Sequence, residues 1–164
     1  MDSFHAYIDD YKKQMKKGDI PKAYQGLMGY MMSLRTYFKN TYPDYFVPGN
    51  IYYGYMDMTY FPILTESLKK RKLKIAIVFV HETFRFEVWL AAANKQVQSR
   101  YWDLFKRSGW KKYKILSSIK GEDSIIEYIL DENPDFSDLE TLTKRIDKGA
   151  TKFIKDIESF LEKY

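Results

Sequence analysis

Residues 73–90, LKIAIVFVHETFRFEVWL, decide the fold. Two apolar, β-branched and aromatic runs, Leu73–Val80 and Thr83–Leu90, flank His81 and Glu82. Such runs around a short polar break read as a β-hairpin. With a two-residue connection, Val80 faces Thr83, Val78 faces Arg85, Ala76 faces Glu87 and Lys74 faces Trp89. One face then carries Leu73, Ile75, Ile77, Phe79, Phe84, Phe86, Val88 and Leu90, all apolar. The other carries Lys74, Ala76, Val78, Val80, Thr83, Arg85, Glu87 and Trp89. A one-residue slip of either strand would exchange its faces, so the uniform apolar face supports this alternation. That face must be covered, most simply by helices. His-Glu is poor chemistry for a primed two-residue turn, which leaves a longer loop and another register open.

Upstream, residues 51–61 are nearly all aromatic, β-branched or Met and read as a further strand, stopped by Pro62. Thr65–Arg71 reads as a short basic helical turn or loop. At the N-terminus Ser3 can cap a helix whose Phe4, Ile8, Tyr11 and Met15 recur at helical spacing up to Gly18. A second helix follows to about Asn40, with Leu27, Met31, Leu34 and Phe38 on its stripe, and the short link predicts an antiparallel helical pair. Pro43, Pro48 and Gly49 then break helical structure.

Downstream, Asn94 can cap a helix to about Arg107, with Val97, Tyr101, Leu104 and Phe105 inward. Residues 112–116 read as a short strand or edge segment. Asp123–Asp131 has helical and strand character together, and Ile125, Ile126, Ile129 and Leu130 favour a helix. After Asn133-Pro134, Ser137 opens a last helix, with Glu140 completing a capping-box pattern and Gly149 as a weak point. The expected fold class is α+β: an antiparallel sheet of 51–61, 73–80, 83–90 and the 112–116 edge, packed against N- and C-terminal helices.

The chain has 164 residues, 45% hydrophobic and 30% charged, with 18% aromatic residues and no cysteine. That length suits one domain, and the apolar fraction is too high for wholesale disorder. No apolar stretch approaches the roughly 20 residues that cross a bilayer. The opening, MDSFHAYIDDYKK, is unlike a secretory signal. Without cysteine, disulfide frameworks, thiolate zinc sites, iron–sulfur clusters and thiol nucleophiles are excluded. A soluble cytoplasmic protein is expected.

Charge is uneven. Residues 1–65 carry seven basic and six acidic side chains, 66–120 fourteen and four, and 121–164 six and twelve, so +1, +10 and −6 give the net +5. A basic middle can mark a nucleic-acid partner. It can equally pair with the acidic C-terminal helix of the same molecule, and this internal reading is preferred.

On the mixed hairpin face Arg85, Glu87 and Trp89 form the main constellation. Were the 51–61 strand beside it, Tyr55 and Asp57 would share that face, and small Ala76 would leave room there. An aromatic-walled patch with one Arg and two carboxylates suits a small polar or planar ligand. The structural alternative is charges paired among themselves, Asp57 with Arg85 or Lys74 across the sheet. His81 beside Glu82 could serve as a general base, although adjacent turn residues often point apart. Metal chemistry is not expected, since the residue three beyond Glu82 is Arg85 and no HExxH motif exists. No cofactor is implied.

Lys69, Lys70, Arg71 and Lys72 could contact phosphates, and Arg100 opens a second basic stretch interleaved with Trp102, Trp110 and Tyr113. Lys-rich helix faces and core aromatics account for the same pattern. No phosphate-binding GxxxxGK[ST] loop, dinucleotide GxGxxG or GxSxG elbow is present.

The stretches GDIPKAYQGLMGYMM, GYMDMTYF, RKLKIAIVFVHETFRFEVWLAAANKQVQ and NPDFSD resemble an uncharacterised prokaryotic family of small single-domain proteins, a domain of unknown function. The likeness covers nearly the whole chain and implies one cytoplasmic domain; it carries over no activity or ligand and adds nothing about mechanism. The sequence therefore predicts a small-ligand or protein-interaction module on the mixed sheet face. A nucleic-acid accessory protein and an enzyme using His81 or a carboxylate stand as alternatives.

Overall fold

In a computed structural model, residues 3–164 are described, and the chain divides into two compact units, up to Leu34 and from Arg35 to Tyr164. The described residues form α1 (Phe4–Lys17), α2 (Asp19–Thr41), β1 (Met58–Ile63), α3 (Glu66–Lys70), β2 (Leu73–Val80), β3 (Arg85–Ala92), α4 (Lys95–Arg107), β4 (Lys114–Ile115), β5 (Ser124–Asp131) and α5 (Leu139–Leu161). The fold is α+β.

In the first unit, Ser3 Oγ accepts from the Ala6 amide at 3.2 Å and caps α1. Gly18, at φ +88°, ends it and donates to the Gln14 carbonyl. α1 buries none of its side chains, so the expected packed helical pair does not form. One residue between helices is too short for the reversal that such a hairpin needs.

In the second unit the sheet order is β1-β2-β3-β5-β4, with every pairing antiparallel. The β2–β3 register sets Val80 opposite Arg85, Val78 opposite Glu87, Ala76 opposite Trp89 and Lys74 opposite Ala91. This is two residues from the two-residue-turn expectation. The connection holds four residues, His81 to Phe84, closed by the Phe84 amide on the Val80 carbonyl at 2.8 Å. A shift of two keeps every side chain on its face. Ile75, Ile77, Phe79, Phe86, Val88 and Leu90 are fully buried together. Phe84 is the exception in burial: it lies in the turn at φ +55° and is exposed, with its ring edge-on to buried Phe79 at 4.9 Å, at the margin of the apolar face.

Three helical segments cover that face. The last turns of α2 bring Phe38 against Phe61, with ring centroids 6.2 Å apart. α5 buries Leu142, Ile146, Phe153, Ile154 and Ile157, and its Phe160 stacks on Phe105 of α4 at 4.3 Å. Fully burying a side chain of this size contributes about 1.5–3 kcal/mol, which makes this layer the main source of cohesion. Gly149 lies within α5 without breaking it. A Cβ there would meet Leu130 Cδ2 at 2.7 Å, so the missing side chain admits β5.

Three further expectations are corrected. Residues 123–131 form strand β5, not a helix. Their Ile residues suit either structure, and the free edge of β3 decides. The strand expected over 51–61 begins only at Met58 and runs through Pro62. Gly54 at φ +74° and Met56 at φ +62° turn the chain before it. Pro62 is tolerated because β1 is an edge strand. Its outer side meets the chain through Phe46–Leu64 and Tyr52–Tyr60 bridges on either side of Pro62. Finally, Asp138, not Ser137, caps α5, accepting from the Thr141 amide at 3.2 Å.

Candidate functional site

Strand alternation puts Arg85, Glu87 and Trp89 on the face of β3 opposite the helices. Arg85 Nε donates to Glu87 Oε2 at 2.9 Å, and Trp89 Nε1 donates to Glu87 Oε1 at 3.0 Å. Glu87 is 4% exposed, and both of its oxygens are occupied by these donors. Arg85 also lies 3.9 Å from Glu132. Ala76 stands opposite Trp89, where its single methyl leaves room for the indole.

β5 adds a residue that sequence reasoning missed. Glu127 is in register with Trp89, and its carboxylate accepts from Ser124 Oγ at 2.7 Å. Burial pushes its pKa up, with the charges of Glu87 and Glu122 adding, while the Ser124 hydrogen bond and Arg85 oppose. Among the described residues Glu127 has no salt-bridge partner, although Lys114 is its register partner on β4. The helical reading of 123–131 hid it. Alternation through Ile126, Tyr128 and Leu130 was the signal that could have placed it.

Tyr55 and Asp57 lie in the turn before β1, not on this strand face. Tyr55 is 91% exposed. Asp57 Oδ1 accepts from the Tyr55 amide at 2.9 Å; this bond, with that of Met58, holds its carboxyl below the usual range. It therefore forms a local turn instead of the expected cross-sheet ion pair.

His81 is tied to the same turn. Its amide donates to the Asp57 carbonyl at 3.0 Å, and its Nε2 lies 2.9 Å from Thr59 Oγ1. The Thr59 hydroxyl donates to the Tyr53 carbonyl at 2.7 Å, so in neutral His81 the Nε2 proton points at Thr59. Burial lowers the His81 pKa, and Asp57 opposes this. The ring orients the turn. Among the described residues no group of three or more His, Asp and Glu side chains is arranged to hold a metal ion.

The basic residues separate into structural and unpaired sets. Arg71 donates to Ser67 Oγ at 2.7 Å and to the Leu161 carbonyl at 2.9 Å. Lys69 lies over the Phe46 ring at 5.4 Å, and Arg100 lies over Tyr101 at 5.0 Å. Lys112 and Lys152 both reach Asp156, which also accepts from the Tyr113 hydroxyl at 2.6 Å. Burial works against ionisation of Asp156, but these bonds bring its pKa down to about 2. Lys112 of the middle segment thus pairs with the acidic helix. Among the described residues Lys69, Lys70, Lys72 and Arg100 form no ion pair. Near Lys112, a cleft of about 300 Å³ is lined by Trp110, Lys111, Phe160, Lys163 and Tyr164.

A family model described as a domain of unknown function, DUF7000, matches residues 4–161. The chain belongs to the DUF7000 family. The match spans every helix and strand of this DUF7000 chain, so the sheet and its helices are features of the matched region. No curated protein and no solved structure matches it. Among its described residues no helix is long and apolar enough to cross a membrane.

Proposed function

We propose that this DUF7000 chain is a non-catalytic binding module whose mixed sheet face takes a small cationic or planar ligand. The observation that carries this reading is Glu127: a half-buried carboxylate with no salt-bridge partner among the described residues, in register with half-buried Trp89. Arg85 pairs with Glu87 and Glu132, so its guanidinium is not in an ion pair with Glu127. An amine or guanidinium placed there gains an ion pair with Glu127 and the face of an indole, the pairing that recognises organic cations. The cysteine-free composition supports a single cytoplasmic domain as the setting.

Calorimetric titration with 1,4-diaminobutane, arginine amide and tryptamine tests the reading. At least one probe is expected to bind, with several-fold loss in Trp89→Leu and larger loss in Glu127→Gln. Absence of binding by all three, or unchanged binding in Glu127→Gln, contradicts it.

A second reading, a single-stranded nucleic-acid partner, rests on Lys69, Lys70, Lys72 and Arg100, none of which is in an ion pair among the described residues, and on the aromatic, lysine-lined cleft at Trp110. Bases stack on such rings while lysines neutralise phosphates. Titration with oligonucleotides at two salt concentrations is expected to show affinity falling with salt, and salt-independent affinity contradicts it.

A further inference from the structure

Ser124 and Glu127 stand three residues apart on β5, a spacing that sends side chains to opposite faces of a regular strand. A β-bulge removes the conflict. The register steps from Leu90 to Ala91 along β3 but from Ile126 to Ser124 along β5, so Ile125 is the extra residue. Ser124 thereby shares the face of Ala91, Trp89 and Glu127, and its hydroxyl donates to Glu127 Oε1 at 2.7 Å. α4 holds the bulged end in place. Its buried Gln98 donates through Nε2 to the Ser124 and Glu122 carbonyls, each at 2.9 Å. Ser124 is fully buried, which sets Glu127 Oε1 against the protein interior.

We propose, on the basis of the cation-binding reading of the Glu127 site, that Ser124 sets its ligand class and selects a primary alkylammonium over a guanidinium. A guanidinium pairs with a carboxylate through two parallel N–H bonds and needs both oxygens. With Oε1 engaged by Ser124, Oε2 is the oxygen left to a ligand. Glu87 offers no substitute, since Arg85 and Trp89 occupy its two oxygens. An ammonium is a compact charge for which one N–H on Oε2 suffices, while its other donors stay in water. The indole of Trp89 does not discriminate, because cations of both kinds are drawn to its face. Lys114, the register partner of Glu127 on β4, is exposed and forms no ion pair among the described residues, so it does not claim Oε2.

Calorimetric titration of the full chain at neutral pH with 1,4-diaminobutane and 1,4-diguanidinobutane, dications on the same spacer, tests the selection. The diamine is expected to bind more tightly by about fivefold, the value of one hydrogen bond left unmade. Ser124→Ala frees Oε1 and should bring the two affinities to within about twofold of each other. Ser124→Thr keeps a hydroxyl and should keep the preference. The ratio is the readout, since a general loosening of the site lowers both affinities together. Equal affinities in the parent chain, a preference for the diguanidine, or an unchanged ratio in Ser124→Ala with native circular dichroism overturns the role of Ser124 and leaves the cation reading standing. Binding of neither probe overturns both.

Discussion

Arg71 Nη2 donates to the Leu161 carbonyl at 2.9 Å, so a residue of the basic run closes the C-terminal end of α5. Helix ends leave carbonyls without intrahelical partners, and a cation there also meets the negative end of the helix dipole. Arg71→Ala is expected to lower stability by about 1–2 kcal/mol. Lys70→Ala, one position away and exposed, should change it by less than about 0.5 kcal/mol. Urea unfolding midpoints compare the two, and equal small effects would refute the capping role.

The hydroxyls of Tyr37 and Tyr42 both donate to the Asp147 carboxylate at 2.5 Å. The hydrogen bond raises the Tyr37 pKa first of all, and burial does so for Tyr42, with Asp147 adding. Folding therefore favours the neutral phenols. Their contribution is complete below the ordinary tyrosine pKa of about 10 and is lost as pH climbs through the raised folded values. Tyr42→Phe is expected to cost about 1 kcal/mol at pH 7 and to flatten the alkaline decline. Unfolding midpoints measured from neutral to strongly alkaline pH check both parts.

His81 gives the opposite limb. Burial holds its folded pKa below 6.5, so the unfolded chain takes up this proton first as pH falls. The histidine's contribution is full above pH 6.5 and diminishes as the pH drops below it. In a His5→Gln background, where one imidazole remains, an NMR titration should give a midpoint under 6.5. A higher midpoint would mean that Asp57 outweighs burial.

Gly54 stands at φ +74°, and a Cβ on it would meet the Met58 carbonyl oxygen at 2.1 Å. Backbone cannot yield as a side-chain tip can. Gly54→Ala should destabilise by more than about 1 kcal/mol and disturb the Asp57 turn. Gly109→Ala makes a control for the φ penalty alone: it is also at positive φ, with nothing within 4 Å of its Cβ. Equal losses at both positions would show that crowding at Gly54 contributes nothing.

Much of the sheet was legible because alternation reports which face a side chain takes. The apolar set from Leu73 to Leu90 is buried together, with Phe84 exposed at its margin against Phe79. Absolute register was not legible, because alternation repeats every two residues and cannot distinguish loops of two and four. Segment 123–131 was misread because Ile125, Ile126 and Ile129 satisfy helical and extended spacing alike; only the unpaired edge of β3, a long-range feature, selects. That misreading also concealed Glu127, whose relation to Trp89 exists only across strands. Asp57 was placed on a strand although Gly54, three residues before it, supplied the turn signal.

Pro62 has a consequence for how the folded chain behaves in a crowd. On the outer side of β1 it offers no N–H donor, and the bridges at Tyr60 and Leu64 occupy the backbone to either side. A foreign strand arriving there finds no continuous ladder to extend. The backbone itself therefore disfavours strand addition along this margin.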